Sequence, residues 1–406
     1  MTYLFNNEVG FIPTAKDAFN RLKVAAPFTL FDSSHRYNDN GHWTTGTTGG
    51  GTAAFDASAG LMNLTLGTTS GAEVVRETKR VFSYQPGKSL FSMNTFTMSE
   101  GKVGLRQRVG HYGESNGLFL ELEGRTLYVV KRSSSGGSVV ETRVAQADWN
   151  IDPLDGSGPS GKTLDITKSQ IFWCDIEWLG VGTARLGFVI DGVIIHCHSF
   201  HHANGITGTY MGTATLPLRY EIKNTDTQDE SNTLKQICCT VISEGGYELR
   251  GRQRSAGSAI TSPKSLATAG TYYPVVSIRL KSDRLDGVVI PSALSVLPTT
   301  TGNFSWRLVN NGTTTGGTWG SVSDESIVEY NIGGTSFTGG TVLASGYISA
   351  SNQASGQIDI PRDSLFRFQL QRDGLTSTPY ELTLLVSAAT DSEAVLGSMD
   401  WEEISR

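Results

Sequence analysis

Residues 171–203 read IFWCDIEWLGVGTARLGFVIDGVIIHCHSFHHA, and their alternation decides the fold class. Phe172, Cys174, Ile176 and Trp178 fall on one side of an extended chain, with Asp175 and Glu177 on the other. Further on, Ala184, Leu186, Phe188 and Ile190 share a side opposite Arg185. A period of two marks half-buried antiparallel strands, apolar inward and polar outward. Asp191-Gly192 then predicts a two-residue hairpin turn into a third strand, because both central residues of such a turn need positive φ.

The same pattern spreads outward along the chain. Strands are expected at Leu61–Leu66, Val81–Tyr84, Ser89–Met98, Leu118–Leu122, Thr126–Val130, Leu216–Ile222 and Ile237–Ser243. The fifth pairs with the fourth across Glu123-Gly124, and Asp152–Gly161 reads as a turn-rich loop. A second run follows at Tyr273–Leu280, Phe304–Val309, Ser326–Ile332, Thr341–Ile348, Leu365–Gln371 and Tyr380–Val386. No helix of ordinary length interrupts either run, which is the all-β signature. Between them, Gly251–Gly270 is polar, rich in small residues and poorly periodic, hence a linker. Thr44–Thr52 (TTGTTGGGT) reads by composition as a flexible loop. The expected domains are an N-terminal arm (1–45), a large sandwich (46–250), a linker (251–270) and a smaller β-sandwich (271–406). Asp17–Ala25 fits a helical turn or an extended run equally well. The arm carries Phe19, Leu22, Phe28, Leu30 and Phe31, too apolar for a free tail, and is expected to lie on the following domain or on a neighbouring subunit.

Bulk properties agree with this reading. A chain of 406 residues can bury more than one core. Glycine supplies 47 residues, well above the usual share of about 7%, and clusters with Thr and Ser between apolar strands. The net charge of −6 argues against electrostatically driven binding to nucleic acid or an anionic membrane. The first residues lack the basic and apolar regions of a secretory signal, and no apolar run reaches the roughly 18 residues needed to span a bilayer. Cys238 and Cys239 are neighbours on a predicted strand, so with Cys174 and Cys197 they do not suggest a disulfide framework; synthesis in a reducing cytoplasm is expected.

Several long stretches together carry a resemblance. Tyr84–Leu90 (YQPGKSL), Gly117–Arg132 (GLFLELEGRTLYVVKR), Trp149–Leu164 (WNIDPLDGSGPSGKTL) and Ile171–Phe200 follow one order. Asp17–Asp32 (DAFNRLKVAAPFTLFD), Tyr273–Leu280 and Phe304–Tyr330 extend it. The sequence resembles a family of structural proteins from bacteriophages and large DNA viruses built on a concanavalin A-like jelly roll. The resemblance implies a lectin-like jelly-roll sandwich followed by a smaller sandwich, and a non-enzymatic role in the virion. A tail, baseplate or fibre component comes first, then a capsid decoration or head-fibre protein; a receptor-binding adhesin is the rival from another class. The implied partners are copies of itself, most simply a trimer, and other virion proteins. The chain would be made in the host cytoplasm and reside in the virion, with no nucleic acid, membrane insertion or cofactor involved.

Candidate chemistry is sparse. His196 and His198 stand two apart on one strand and could chelate zinc, but Cys197 points away and no second Cys/His pair completes a site, so no metal is expected. Glycoside hydrolysis needs paired carboxylates, and Glu121 with Glu123, or Asp175 with Glu177, have the right phase. Both fall short of the three-carboxylate array of jelly-roll glucanases, so no catalytic residue is assigned. A depolymerase ranks third. A host-surface glycan could instead meet Trp43, Tyr112, Trp149 and Tyr210, which lie in or near predicted loops, with Asp152 and Asp155 beside Trp149. Trp319 has similar loop surroundings. Asn224–Glu230 (NTDTQDE) lacks the glycine and distal glutamate of a calcium loop, and the loop 152–157 offers no better set. Arg250, Arg252 and Arg254 alternate at the linker, where ion pairing or solvation is expected.

Overall fold

The computed structural model describes residues 2–5, 8–11, 26–350, 356–359 and 368–404, with side chains over 26–350 and 368–404. The described chain is almost wholly antiparallel β. The trio that opened the sequence reading folds as three adjacent strands, Gln170–Ile176, Ala184–Ile190 and Val193–Phe200. Phe172 sits opposite Phe188, Cys174 opposite Leu186 and Ile176 opposite Ala184, all fully buried. Asp191 and Gly192 form the turn with φ of 53° and 75°, the double positive φ that a primed hairpin turn requires.

These strands end an eight-stranded sheet that continues through Ser89–Thr97, Asn232–Glu244, Leu61–Leu66 and Thr52–Asp56, with Pro27–Ser34 also on Asn232–Glu244. A seven-stranded sheet packs on it in the order Val140–Ala145, Thr126–Ser133, Gly117–Glu123, Leu105–Tyr112, Leu218–Asn224, Glu73–Thr78 and Trp43–Thr48. Between them lies one contiguous core that includes Leu64, Phe96, Leu120, Phe172, Phe188 and Tyr220. Burying such side chains contributes roughly 1.5–3 kcal/mol each. This is a jelly-roll sandwich.

The second sandwich pairs a six-stranded sheet with a five-stranded one. The six run Gly320–Ser321, Val328–Asn331, Tyr273–Leu280, Glu381–Ala388, Asn303–Thr315 and Ser336–Ser349. The five are Arg252–Gly257, Glu393–Glu403, Val289–Pro298 and Gly356–Asp359, with Lys264–Leu266 also on Glu393–Glu403. Its core includes Val276, Ile278, Leu308, Leu384, Met399 and Trp401.

Five sequence expectations differ from the structure, the first being the strand expected at Leu365–Gln371, of which the described residues 368–371 are not strand. Residues 251–270 are no linker: Arg252–Gly257 and Lys264–Leu266 both pair with Glu393–Glu403 as edge strands, which need backbone bonds more than apolar side chains. Thr44–Thr52 is not a loop but most of the strand Trp43–Thr48 and the turn into Thr52–Asp56. The arm boundary also moves. Phe28, Leu30 and Phe31 belong to the strand Pro27–Ser34, which pairs with Asn232–Glu244, and Leu30 and Phe31 lie in the large core. Phe19, Leu22 and most of Asp17–Ala25 fall outside the described residues. Last, Val81–Tyr84 keeps only one bridge, from Phe82 to Leu216. The Val81 backbone instead serves the other domain, its carbonyl accepting from Gln369 Nε2 at 2.9 Å.

The two sandwiches meet along a seam. Val81, Val288 and Ile290 form a small buried cluster there, backed by Leu249 and Ile404. The Arg372 backbone N–H donates to Lys79 O at 2.9 Å, and its guanidinium bonds both Leu285 O and Thr78 O.

Candidate functional site

The most organised polar structure lies on the face of the seven-stranded sheet turned away from the core. On the strand Leu105–Tyr112, Leu105 and Val109 enter the core, so Arg106, Arg108 and Tyr112 project from the other side. The same phase on neighbouring strands places Phe119, Glu121, Arg132, Arg219 and Glu221 on that face. Register sets Arg108 directly between Glu121 and Glu221 on the flanking strands. Opposite charges facing across strands attract one another.

The result is an unbroken alternation of acid and base. Arg132 pairs with Glu141 at 2.6 Å, Glu141 with Arg143 at 2.5 Å, and Arg143 with Glu121 at 2.6 Å. Glu121 then meets Arg108 at 2.5 Å, Arg108 meets Glu221 at 3.5 Å, and Glu221 meets Arg219 at 3.2 Å. Arg219 reaches Glu77 at 3.3 Å, and Glu77 ends the series on Arg372 of the second sandwich at 2.8 Å. Arg106 adds a 2.8 Å bond to Glu221. Tyr112 and Phe119 pack at 4.3 Å beneath Arg132, whose guanidinium lies 5.3 and 5.0 Å from their rings.

Burial and charge compete at each carboxylate. Burial would raise Glu221, but Arg219, Arg108 and Arg106 outweigh it and hold the carboxyl below its ordinary value. Burial would likewise raise Glu141, and the Arg132 hydrogen bond with the charges of Arg108, Arg132 and Arg143 lowers it. Tyr112 is driven up by burial and by the Glu221 charge. At Glu141 and Glu221 the arginines therefore win over burial.

Each sequence candidate has a definite place. Glu121 belongs to the ion-pair series; Glu123 joins it at the margin, 3.8 Å from Arg143. Asp175 is buried and bonded to Ser89 and Arg185, while Glu177 is exposed beyond the strand end. The four candidate sugar-binding rings turn inward. Trp43 is 4% exposed and donates Nε1 to Ser33 Oγ at 3.0 Å. Tyr112 is fully buried under the arginines. Trp149 stacks on Phe188, and Tyr210 stacks on His202 at 3.9 Å. All four rings are buried. Asp152 is buried and caps its own loop, accepting from Leu154 N at 2.9 Å and Ser160 N at 2.8 Å. Asp155 caps Ser157 in the same manner. Trp319 lies under the Arg279 guanidinium at 4.0 Å.

The histidines are engaged as well. His196 Nε2 lies 2.9 Å from Ser199 Oγ, and His198 Nδ1 accepts from Asn150 N at 3.3 Å. The register shifts here, with Cys197 as the extra residue and its thiol buried in the core. Among the described residues no group of three or more His, Cys, Asp or Glu side chains could hold a metal ion. Asn224 Nδ2 donates to the Gly67 and Thr69 carbonyls of a neighbouring loop, and Glu230 pairs with Lys102. Arg250 pairs with Glu248, and Arg252 and Arg254 with Glu325.

A groove of about 690 Å³ follows the seam, lined by Tyr84, Gln85, Lys88, Trp178, Glu248 and Arg250 among others. Trp178 is half-buried, donates Nε1 to Met211 O at 3.3 Å, and meets Tyr84 edge-on at 6.2 Å. Sequence reading passed over this groove because its walls come from distant segments. The ion-pair series left one readable trace: Arg106/Arg108 and Glu121/Glu123 share a phase on strands that pair as a hairpin.

Fold and site together define an all-β protein of two sandwiches with a jelly roll first. No protein-family model matches the sequence, and no curated protein matches it. Solved structures resemble it over about half its length. A Bacillus licheniformis β-glucanase is similar at 11% identity, covering 52% of this chain and 96% of that one, with a TM-score of 0.35. Arcelin-5, a lectin-like defense protein from Phaseolus vulgaris, is 9% identical over 55% and 100% of the two chains, TM-score 0.34. A carbohydrate esterase from the Shiga toxin-encoding bacteriophage phi24B is 10% identical over 54% and 100%, TM-score 0.32.

Proposed function

We propose that this chain is a non-enzymatic structural protein of a bacteriophage virion, a tail, baseplate or fibre component that assembles through its β-domains. The observation that carries this reading is the Arg–Glu series. Hydrolysis of a glycosidic bond needs one carboxyl group kept protonated near neutral pH beside a second in reach. Glu141 and Glu221, held below their ordinary value by the arginines around them, show the opposite arrangement, and Glu77 and Glu121 are each paired with two arginines. The same series ties the two sandwiches together, which suits a building block. The sequence stretches that resemble virion proteins, from Tyr84–Leu90 to Phe304–Tyr330, support the location.

Peptide mass spectrometry and immunogold labelling of purified particles test this. Label on the tail or baseplate is expected. Label over the head would favour capsid decoration instead. Absence from particles, with the protein abundant in the lysate, would overturn the virion reading.

A second reading, glycan recognition, is favoured by the seam groove, where Trp178 and Tyr84 stand beside Gln85, Lys88, Glu248 and Arg250. An aromatic ring with polar groups at its rim suits a sugar. Binding to host-surface polysaccharide that Trp178→Ala abolishes would establish it; a silent broad glycan array would remove it.

A further inference from the structure

The six-stranded sheet of the second sandwich ends in an unusually open strand. Ser336–Ser349 (SFTGGTVLASGYIS) is 14 residues long and pairs on one side with Asn303–Thr315. Among the described residues its other edge has no partner. An edge strand presents unpaired N–H and C=O groups, and proteins ordinarily blunt it with charge, proline or brevity. Three other edges here are blunted in those ways, while Trp43–Thr48 and Val193–Phe200, six and eight residues long, also lack charge and proline. Gly320–Ser321 has two residues, Val140–Ala145 carries Glu141 and Arg143, and Arg252–Gly257 carries Arg252 and Arg254.

Ser336–Ser349 has none of these devices. It contains no Lys, Arg, Asp, Glu or Pro. Gly339 and Gly340, with φ of 72° and 85°, interrupt it, and beyond them Thr341–Ser349 pairs with Asn303–Asn310 with one register shift at Leu343. Ile348 and Ala344 pack on the core, while Tyr347 is 90% exposed and Val342 48%. Soon afterwards Gly356–Asp359 ends the five-stranded sheet, again with one neighbour among the described residues. Only residues 350–355 separate the two strands, so both sheets stop on the same flank.

We propose that a second copy of this chain docks on this flank, its Ser336–Ser349 strand running antiparallel to the first about a two-fold axis. The commitment to a second copy rests on two observations. An identical strand brings no charge, so no register of the pair sets like charges against each other. A two-fold at this edge also continues both layers: two six-stranded sheets join, and the Gly356–Asp359 edges are carried toward each other. The proposal rests on the self-assembly in the reading above and names the surface that mediates it.

Sedimentation velocity and light scattering on the full chain test this, from low to high micromolar concentration. Wild type is expected to dimerise. Val342→Lys with Tyr347→Lys, both at exposed positions, should weaken association by roughly 100-fold or more through like-charge opposition. An unchanged circular dichroism spectrum shows that the variant folds. Hydrogen exchange on wild type reads the same contact without mutation: amides of 341–349 should gain protection as concentration rises. A monomer at all concentrations, a dimer the double variant leaves intact, or concentration-independent exchange at 341–349 would overturn the proposal. Those outcomes leave particle labelling free to succeed, whereas a solution dimer missing from particles would sink only the virion reading.

Discussion

Glu77 of the first sandwich and Arg372 of the second form a 2.8 Å ion pair in which neither side chain is more than 7% exposed. Glu77 also holds Arg219, so one carboxylate joins the sheet's ion-pair series to the neighbouring domain. Breaking a buried pair from one side leaves an uncompensated charge, which costs more than the pair contributes while intact.

Arg372→Ala should therefore destabilise the protein by about 3 kcal/mol or more. It also removes the bonds to Thr78 O and Leu285 O, so the seam should loosen before either sandwich melts. Urea unfolding should show two transitions where wild type shows one, and limited proteolysis should cut between the domains. Arg372→Lys should recover only part of the loss, because an ammonium cannot match the planar fork.

Stability should fall in two stages as the solution is acidified. Burial pushes His35, His111 and His198 down to about 4 from an ordinary 6.5, so these rings are neutral when folded. Between pH 6.5 and 4 the unfolded chain binds protons that the native chain refuses, and stability drops as pH falls through that window. Glu141 and Glu221 act below it. Their folded values lie under the ordinary 4.5, so their contribution is complete above 4.5 and is lost as pH falls through the depressed values. Melting temperature against pH should decline as pH falls below 6.5 and go on declining below 4.5. A flat profile from 7 to 4.5 would contradict the histidine assignment.

The Asp191-Gly192 turn gives a local test. A Cβ on Gly192 would meet nothing within 4 Å, so only its φ of 75° resists substitution. Gly192→Val should cost about 1–2 kcal/mol by chemical denaturation, with no change in the size or shape of the folded protein.

The sheet around this turn was legible because Phe172, Cys174 and Ile176 alternate with polar or amphipathic neighbours, and the turn residues admit one geometry. Edge strands were not. Arg252–Gly257 reads RQRSAG and buries only Ala256, which leaves no apolar period in its side chains. The site was hidden for a different reason: Glu77, Arg108, Glu121, Glu221 and Arg372 reach one face from strands far apart in sequence, and only the fold sets their order. Trp149 and Tyr210 misled because nearness to a loop says nothing of which way a ring turns.

Glu121 is the most sheltered acid of the series, fully buried between Arg108 at 2.5 Å and Arg143 at 2.6 Å. Glu121→Gln keeps the shape but removes the charge, leaving Arg108 to Glu221 and Glu141, and Arg143 to Glu141 and Glu123. Loss of about 3 kcal/mol is expected. Combining it with Arg143→Met should cost less than the sum of the two, because the second change removes a guanidinium already deprived of its nearest partner. A double-mutant cycle by urea denaturation measures this coupling. Strict additivity would mean the acids and bases on this face act as separate pairs, and the view of one connected series reaching the second sandwich would have to be given up.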